Sequence, residues 1–461
     1  MKFINREKEL GYLDSFWKKE GAQFIAIYGK RRVGKTTLIK HFLKDKPHVY
    51  FLAQKISEQE NLRTLGELTG ALFGEDVLVE KGFSNWPSFF RYFQKRTDKR
   101  LVVVIDEFPY LTESNKGISS IFQAGWDEYL AASPICLILC GSSITMMESE
   151  VLGEKAPLYG RRTGQILVKP FDFFEAAKFF PGAPFEKQLQ LFSLVGGNPG
   201  YLKNLSPEET VMGNIRKHFL SPEAVLYSEG EFLLHQELRE PRNYFSILRA
   251  IAFGKTRISE IANETGFDKS VLHKYIFALE DLGIVRKDVP VTEKNPMKSR
   301  KGLYKIDDQY FRFWFRYVLP NKSRIEEGAL DPVIKAVNEG FNLLVSMDYE
   351  KVARAVVRKN EELFFPIDKI GSWWDKNEEI DIAALNEKEG KLLLGEVKWS
   401  NKQVGTDIYE DLKRKSALAE KTTGAMRKSF CLFSKSGFTR AMPQTAKKEK
   451  VRLFHGIERV E

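Results

Sequence analysis

Short apolar runs set the rhythm of the first part of the chain. Phe24 to Tyr28, His48 to Leu52 and Ile135 to Leu139 are strand-length and read as buried strands, and Leu101 to Ile105 is apolar throughout. A run like LVVVI is what a central strand of a parallel sheet, covered on both faces, requires. A further strand is expected over Gln165 to Val168. Helical patterns fill the spaces. Asn5-Arg6-Glu7 opens a helix to about Glu20, with Asn5 as N-cap and Leu10 and Leu13 turned inward. Residues 57 to 97 are amphipathic, with Leu62, Leu65, Leu68 and Leu72 at helical spacing. Phe83, Trp86, Phe89, Phe90 and Phe93 recur at threes and fours, which predicts helix core rather than a base-stacking platform.

Beyond residue 205 the pattern changes. Residues 206 to 240 read as a helical connector. Tyr244 to Phe253, Ile258 to Thr265 and Lys269 to Leu282 predict three short helices, with Gly266 separating the last two, Asp268 capping the third and Gly283 ending it. Two strands follow, Ile284 to Val289 and Gly302 to Ile306, around the basic span TEKNPMKSRK. Three short helices and a basic hairpin describe a winged helix-turn-helix. The segment YFRFWFRYVL after Gln309 predicts a buried helix, and Lys322 to Glu327 a polar linker. A helix from about Gly340 to Arg358 carries Glu350. Glu379 to Leu385 alternates as a strand does, Asn386 to Gly390 turns, and Lys391 to Val397 returns. The expected domains are 1–205, a connector 206–240, a winged helix 241–320 and a last α/β domain 328–461.

With 461 residues, the chain is long enough for about three domains. No stretch approaches the roughly 18 apolar residues that a membrane span needs. MKFINREKEL has no apolar signal core, so a cytoplasmic protein is expected. Three cysteines offer neither a disulfide framework nor a metal cluster, and Cys136 and Cys140, four apart on a predicted strand, read as core. The net charge of +10 is unevenly placed. From Lys391 to Glu461, 16 Lys and Arg face 8 Asp and Glu, and from Arg286 to Lys305, 7 face 2. Two separate basic surpluses suggest a polyanionic partner.

The candidate chemistry begins at QFIAIYGKRRVGKTT. A strand runs into Gly29-Lys30-Arg31-Arg32-Val33-Gly34-Lys35-Thr36, a complete G-x-x-x-x-G-K-[ST] loop, and Thr37 continues into a helix. Gly29 and Gly34 let the backbone turn tightly against phosphate, and the helix N-terminus faces the same anion. Lys35 is expected to reach the β- and γ-phosphates and Thr36 to ligate Mg²⁺. The apolar run 101–105 ends in Asp106-Glu107. Asp106 is suited to hold the Mg²⁺ hydration shell and Glu107 to orient and deprotonate the attacking water. Gly141-Ser142-Ser143 ends a neighbouring strand, where a serine either senses the γ-phosphate or caps a turn. Arg161 or Arg162 is a candidate to neutralise the transferring phosphoryl group, with a structural ion pair as the alternative.

Taken in order, NRE, GKRRVGKTT, VVVIDE, LCGSS, YGRRTG and VGGNPGYL resemble the archaeal-type ATPases of the STAND branch of AAA-like P-loop proteins. The resemblance covers about residues 1 to 205. It implies a P-loop NTPase fold, ATP rather than GTP, a nucleotide-gated switch, and Pro199 close to the nucleotide. In a DNA-binding winged helix, Lys269, Ser270, His273 and Lys274 face the major groove, and Lys294, Lys298, Arg300 and Lys301 meet phosphates. A winged helix that only packs domains together is the alternative.

A second constellation closes the chain. Folding the hairpin about position 388 sets Asp381 opposite Gly395, one residue from Glu396, with Lys398 two residues further on the same face. Asp381…Glu396-x-Lys398 resembles the core of PD-(D/E)XK nucleases, with Glu350 in the place of their first-helix acid, although no proline precedes Asp381. The resemblance implies a divalent metal on the carboxylates, polarising the scissile phosphate and activating water, with Lys398 steadying the transition state. Lys413, Arg414 and Lys415 are expected to track a phosphate backbone. Two functions follow: an ATP-driven switch coupled to a Mg-dependent nuclease acting on nucleic acid, DNA in particular, or a nucleotide-gated regulator whose last domain is only a binding platform.

Overall fold

The computed structural model describes residues 3–96, 99–238, 240–375, 377–424 and 427–460; Thr97, the end of the predicted 57–97 stretch, lies outside them. The chain forms two compact units, Met1–Phe171 with Gly197–Gly200, and Asp172–Gly196 with Tyr201–Glu461.

In the first unit, β1 (Gln23–Tyr28), β2 (His48–Leu52), β3 (Leu101–Asp106), β4 (Ile135–Gly141) and β5 (Gly164–Leu167) make one parallel sheet in the order β2-β3-β4-β1-β5. Period-two alternation divides its apolar side chains between two cores. Ile25, Ile27, Val102, Val104, Cys136, Ile138 and Cys140 pack under α1 (Glu7–Lys18) and α2 (Lys35–Leu43). Phe24, Val103, Ile105, Leu137 and Leu139 pack with the aromatics Phe83 to Phe93 on the other face. Both cysteines are buried free thiols on one face, as core residues should be.

Two local expectations change. The 57–97 stretch is three helices, α3 (Glu58–Phe73), α4 (Asp76–Lys81) and α5 (Trp86–Arg96), broken first at Gly74, whose φ is 71°. Leu62 and Leu65 are buried, but Leu68 and Leu72 are exposed. Each step of three falls about 60° short of a full turn, so the stripe drifts off the core and Thr69 takes its place. Asn5 does not cap α1. Arg6 holds the N-cap position at φ 77°, with no side-chain cap bond, because its guanidinium is used elsewhere. After β3 a short helix, α6 (Phe108–Ser114), begins.

In the second unit, α7 (Val211–Phe219) and α8 (Val225–Glu237) precede α9 (Pro241–Ala252), α10 (Ile258–Thr265) and α11 (Lys269–Asp281). The antiparallel pair β6 (Val285–Asp288) and β7 (Leu303–Ile306) completes a winged helix, with residues 289–302 as its wing. The aromatic segment is buried as α12 (Gln309–Phe313) and the turns after it. The expected linker is instead a helical turn, Lys322–Glu326. The long α13 (Asp331–Lys359) then leads into a six-stranded mixed sheet. Its strands are β8 (Lys369–Trp374), β9 (Glu379–Asn386), β10 (Lys391–Lys398), β11 (Arg427–Ser434), β12 (Arg452–His455) and β13 (Glu458–Val460), adjacent in sequence order. The β8–β9 and β9–β10 pairs are antiparallel, and α14 (Thr406–Thr423) crosses over so that β11 lies parallel to β10.

Helices α12 and α13 are joined by a buried ion pair. Asp348 is wholly buried, Arg312 nearly so, and Gln309 Nε2 donates to Asp348 Oδ1 at 3.1 Å. Removing one member strands the other, at a cost of about 3–5 kcal/mol. Arg312→Ala should therefore lower the denaturant midpoint far more than the apolar double substitution Arg312→Met/Asp348→Leu. Equal midpoints for the two would show that the pair does not hold these helices.

Candidate functional site

The phosphate loop takes the shape its glycines allow. Gly29 sits at φ 148° and Gly34 at φ 92°, and a Cβ on Gly29 would lie 2.3 Å from the Val168 carbonyl oxygen. Arg32 also has a positive φ of 63°. Lys30, Arg31, Arg32 and Val33 bridge to Gly34, the N-cap of α2, and Thr36 and Thr37 stand exposed in its first turn. Lys35 folds back, donating from Nζ to the carbonyls of Gly29 at 2.9 Å and Lys30 at 3.0 Å. Burial pulls its pKa down, against the nearby negative charge of Glu107 and Asp106.

Asp106 lies at the end of β3, fully buried and fully used. Its Oδ2 accepts from Thr36 Oγ1 at 2.9 Å and Tyr50 Oη at 2.6 Å, and its Oδ1 from the Glu107 amide at 3.0 Å. Burial and then Asp106 push the Tyr50 hydroxyl's pKa up. Glu107 adopts the left-handed region, φ 55°, which turns its carboxylate toward the end of β4. There Oε2 accepts from Ser142 Oγ at 2.8 Å and from the Ser142 amide at 3.3 Å. The sheet order explains this meeting, because β4 lies between β3 and β1. Ser143 caps the next helix, accepting from the Met146 amide at 3.4 Å.

Both candidate arginines have partners of their own. Arg161 pairs with Asp127 at 2.9 Å, the ion-pair alternative, and Arg162 donates to the carbonyls of Val151 at 3.2 Å and Leu152 at 2.9 Å. The Gly197-Asn198-Pro199 turn lies against the phosphate loop. Asn198 Nδ2 donates to the Arg31 carbonyl at 3.3 Å, the Gly200 amide to that of Arg32 at 3.1 Å, and Pro199 stands beside Gly34. Sequence reading passed over Arg6. Its Nη2 donates to the carbonyls of Val33 at 3.0 Å and Lys169 at 2.6 Å, and its guanidinium stacks 4.1 Å from the Phe171 ring. In the sequence it stood out only as part of a helix start and of the NRE motif.

At the rear, the hairpin register is one residue from expectation. Asn386 pairs with Lys391 and, at the end of the ladder, Ile382, not Asp381, with Gly395, a register that one step further sets Asp381 against Glu396. The loop spans four residues and β9 runs on to Asn386, moving the fold point half a residue along. The two acids therefore share one face of the sheet. Asp381 Oδ2 accepts from the Val397 amide at 2.8 Å and lies 3.8 Å from Lys398 Nζ, which also pairs with Glu396.

Glu396 continues the face of Leu392 and Leu394, which pack with Tyr409 and Leu412 of α14. That packing brings Lys415 of the same helix to Glu396 Oε1 at 3.2 Å and Asp411 at 3.0 Å, only 14% exposed. Lys415 is thus turned inward rather than left to track a backbone, while Lys413 pairs with Glu449 and Arg414 with Glu378 and Asp411. Glu350 on α13 lies 3.9 Å from Arg354, which donates to the Asp381 carbonyl at 2.7 Å. Among the described residues no group of three His, Cys, Asp or Glu side chains is gathered to hold a metal ion. The donor set still suits a hard cation. Two carboxylates face each other in a desolvated site, and the cations now meeting Glu396 are side-chain ammoniums. On the winged helix, Lys269, Ser270, His273 and Lys274 are exposed along α11, together with Phe277. Lys294, Lys298 and Lys301 are exposed on the wing, and Lys301 is paired with Glu293 at 2.8 Å.

Burial, then the charges of Glu396 and Glu350, push the Asp381 carboxyl up to about 8. Burial raises Glu350 as well. For Asp381 the folded state holds its proton between the unfolded value near 3.8 and about 8, so stability falls as pH rises through that window. Asp381→Asn should lose that slope and be more stable than the parent at pH 8, with the gap closing toward pH 4. Parallel stability–pH curves for the two proteins would contradict the buried-carboxylate reading.

Residues 3–205 match a family described as an ATPase domain predominantly from Archaea, residues 242–289 the IclR helix-turn-helix domain, and residues 314–415 archaeal and bacterial proteins of unknown function. Over 421 residues the chain is 36% identical to the uncharacterized protein MJECL04 of Methanocaldococcus jannaschii, covering 90% of this chain and 92% of that one. Over 44 residues it is 52% identical to the uncharacterized ATP-binding protein MJ0423 of the same organism, 10% of this chain and 75% of that one. The Walker-type ATPase PABY2304 of Pyrococcus abyssi superposes with a TM-score of 0.53 at 22% identity, covering 68% of this chain and 96% of that one, which shows a shared fold. No helix among the described residues is long and apolar enough to cross a membrane. The chain belongs to one family with the M. jannaschii protein, and its front part is an ATPase domain of the kind found predominantly in Archaea.

Proposed function

We propose that the protein couples ATP binding and hydrolysis in its ATPase domain to metal-dependent cleavage of nucleic acid, DNA in particular, at Asp381, Glu396 and Lys398. In the front unit, Lys35 would leave the carbonyls of Gly29 and Lys30 for phosphate oxygens, Thr36 and Asp106 would hold Mg²⁺, and Glu107 would take a proton from the attacking water. Ser142, now on Glu107, and Pro199, beside Gly34, would line the same site.

The observation that carries the rear half is that two acids from opposed strands share one face and one lysine. Asp381 and Glu396, with Glu350 nearby, would hold the divalent ion, whose chemistry is to polarise the scissile phosphate and make water acidic. Lys398, freed from the carboxylates, would bind the phosphate oxygen on which charge develops. Basic surface on the wing would hold the nucleic-acid backbone.

A second reading has an observation of its own. Lys398 and Lys415 already neutralise Glu396, so the domain would also serve as a metal-free binding platform governed by nucleotide.

For the ATPase, Lys35→Ala should abolish nucleotide binding by calorimetry, whereas Glu107→Gln should bind ATP and turn it over at least about 100-fold more slowly. Parent-like turnover in Glu107→Gln would remove Glu107 as the base. For the nuclease, plasmid nicking with Mg²⁺ or Mn²⁺ should disappear in Asp381→Ala and in Lys398→Ala. Nicking that persists unchanged would belong to a contaminant, and a parent protein that never cleaves DNA or RNA would favour the platform.

A further inference from the structure

The wing of the winged helix is fastened to the acid-bearing sheet. The Val291 amide, at the start of the wing, donates to the Ser372 carbonyl of β8 at 2.9 Å. Val291 packs against the core of that sheet, and a Cβ on Gly371 would lie 3.2 Å from Val291 Cβ. The register of β8 on β9 slips here: Gly371 pairs with Ala383 and Trp373 with Ile380, which leaves Ser372 facing Ile382 and Asp381. Val291, Ser372, Asp381 and Glu396 therefore lie across neighbouring strands at one level of the sheet. At about 4.8 Å per strand, the Val291 backbone is roughly 10 Å from that of Asp381. Bulges of this kind re-aim side chains beside functional sites, and here the wing lies against the bulge.

The second strand of the hairpin is fastened too. Asp307, just past β7, pairs with Lys351 of α13 at 2.7 Å and with Arg286 of β6 at 3.0 Å. Lys351 follows Glu350 directly. The loop between these two anchors is braced by Lys287, whose Nζ donates to the Met297 carbonyl at 3.2 Å, and carries the basic residues Lys294, Lys298, Arg300 and Lys301.

We infer that the wing is the positioning arm of the acid site, so that a duplex held by its basic residues is presented to Asp381 and Glu396 at a fixed offset. This rests on the nuclease reading and adds to it where the cut falls: within about one helical turn, some ten base pairs, of the wing contact. Lysines on an untethered loop would give affinity without position. The Val291–Ser372 bond and the Asp307–Lys351 pair together supply the position.

Two variants separate charge from placement. With Ca²⁺ in place of Mg²⁺, binding of an end-labelled duplex should follow a log–log salt slope that falls by about 3 to 4 when Lys294, Lys298, Arg300 and Lys301 are all replaced by alanine, near 0.9 per charge lost. Val291→Pro combined with Lys351→Met removes both anchors, the tethering N–H and the Asp307 pair to α13, and keeps every basic residue of the wing. It should bind as the parent does, with cut sites on the end-labelled duplex spread where the parent's cluster. An unchanged salt slope in the alanine variant, or clustered cuts in the Val291→Pro/Lys351→Met variant, would overturn the inference while leaving the nuclease reading intact. Photo-crosslinking from Lys402→Cys, four residues beyond Lys398, reads the same distance without cleavage. Adducts confined to within a turn of the wing footprint support the arm even in a protein that never cuts, and adducts scattered along the duplex refute it.

Discussion

A charge taken out of water has to be met by an opposite charge or by hydrogen bonds, and that requirement shapes every part of this chain that carries chemistry. Lys35 is buried at the mouth of α2 and turns its ammonium onto two loop carbonyls. Asp106 is wholly buried and collects Thr36, Tyr50 and a backbone amide. Arg6, almost without exposure, spends its guanidinium on two carbonyls, a carboxylate and an aromatic face. Each of these arrangements is satisfied in itself. The desolvation that makes such groups costly to bury also makes their response to a ligand large.

The rear unit applies the same rule to two like charges. Asp381 sits beside Glu396 in a dry site, and burial and that neighbouring charge push its carboxyl up. Two lysines approach Glu396 from different elements, Lys398 from the strand itself and Lys415 from the crossover helix. Backbone geometry holds the pair in place: the four-residue loop sets the register, and the slip in β8 lies at the same level. The buried Arg312–Asp348 pair fixes α13, and with it Glu350, relative to the aromatic segment that follows the winged helix.

Basic surplus in the sequence has a mixed meaning once the partners are known. In the last domain much of it is neutralised locally, Lys413 by Glu449, Arg414 by Glu378 and Asp411, Lys428 by Glu420. On the wing, Lys301 is paired with Glu293. Net charge counted along a chain overstates the field that a distant polyanion meets, because short-range ion pairs cancel much of it within a Debye length.

What the sequence determined alone was whatever depends on neighbours in the chain. Strand-length apolar runs, the phosphate loop with its glycines, the Asp106-Glu107 strand end, the three short helices before a hairpin and the Glu396-x-Lys398 spacing are all local, and period two or 3.6 carries them. What only tertiary structure decided involves separations that no spacing encodes. The one-residue register that brings Asp381 against Glu396 depended on where the turn closed. Arg6 on the loop after β1, Tyr50 on Asp106, Ser142 on Glu107, Lys415 on Glu396 and Val291 on β8 join residues from about 20 to about 80 positions apart. Such contacts are fixed by strand order and crossover geometry, which are set by burying whole faces at once, and single-residue patterns carry no record of them.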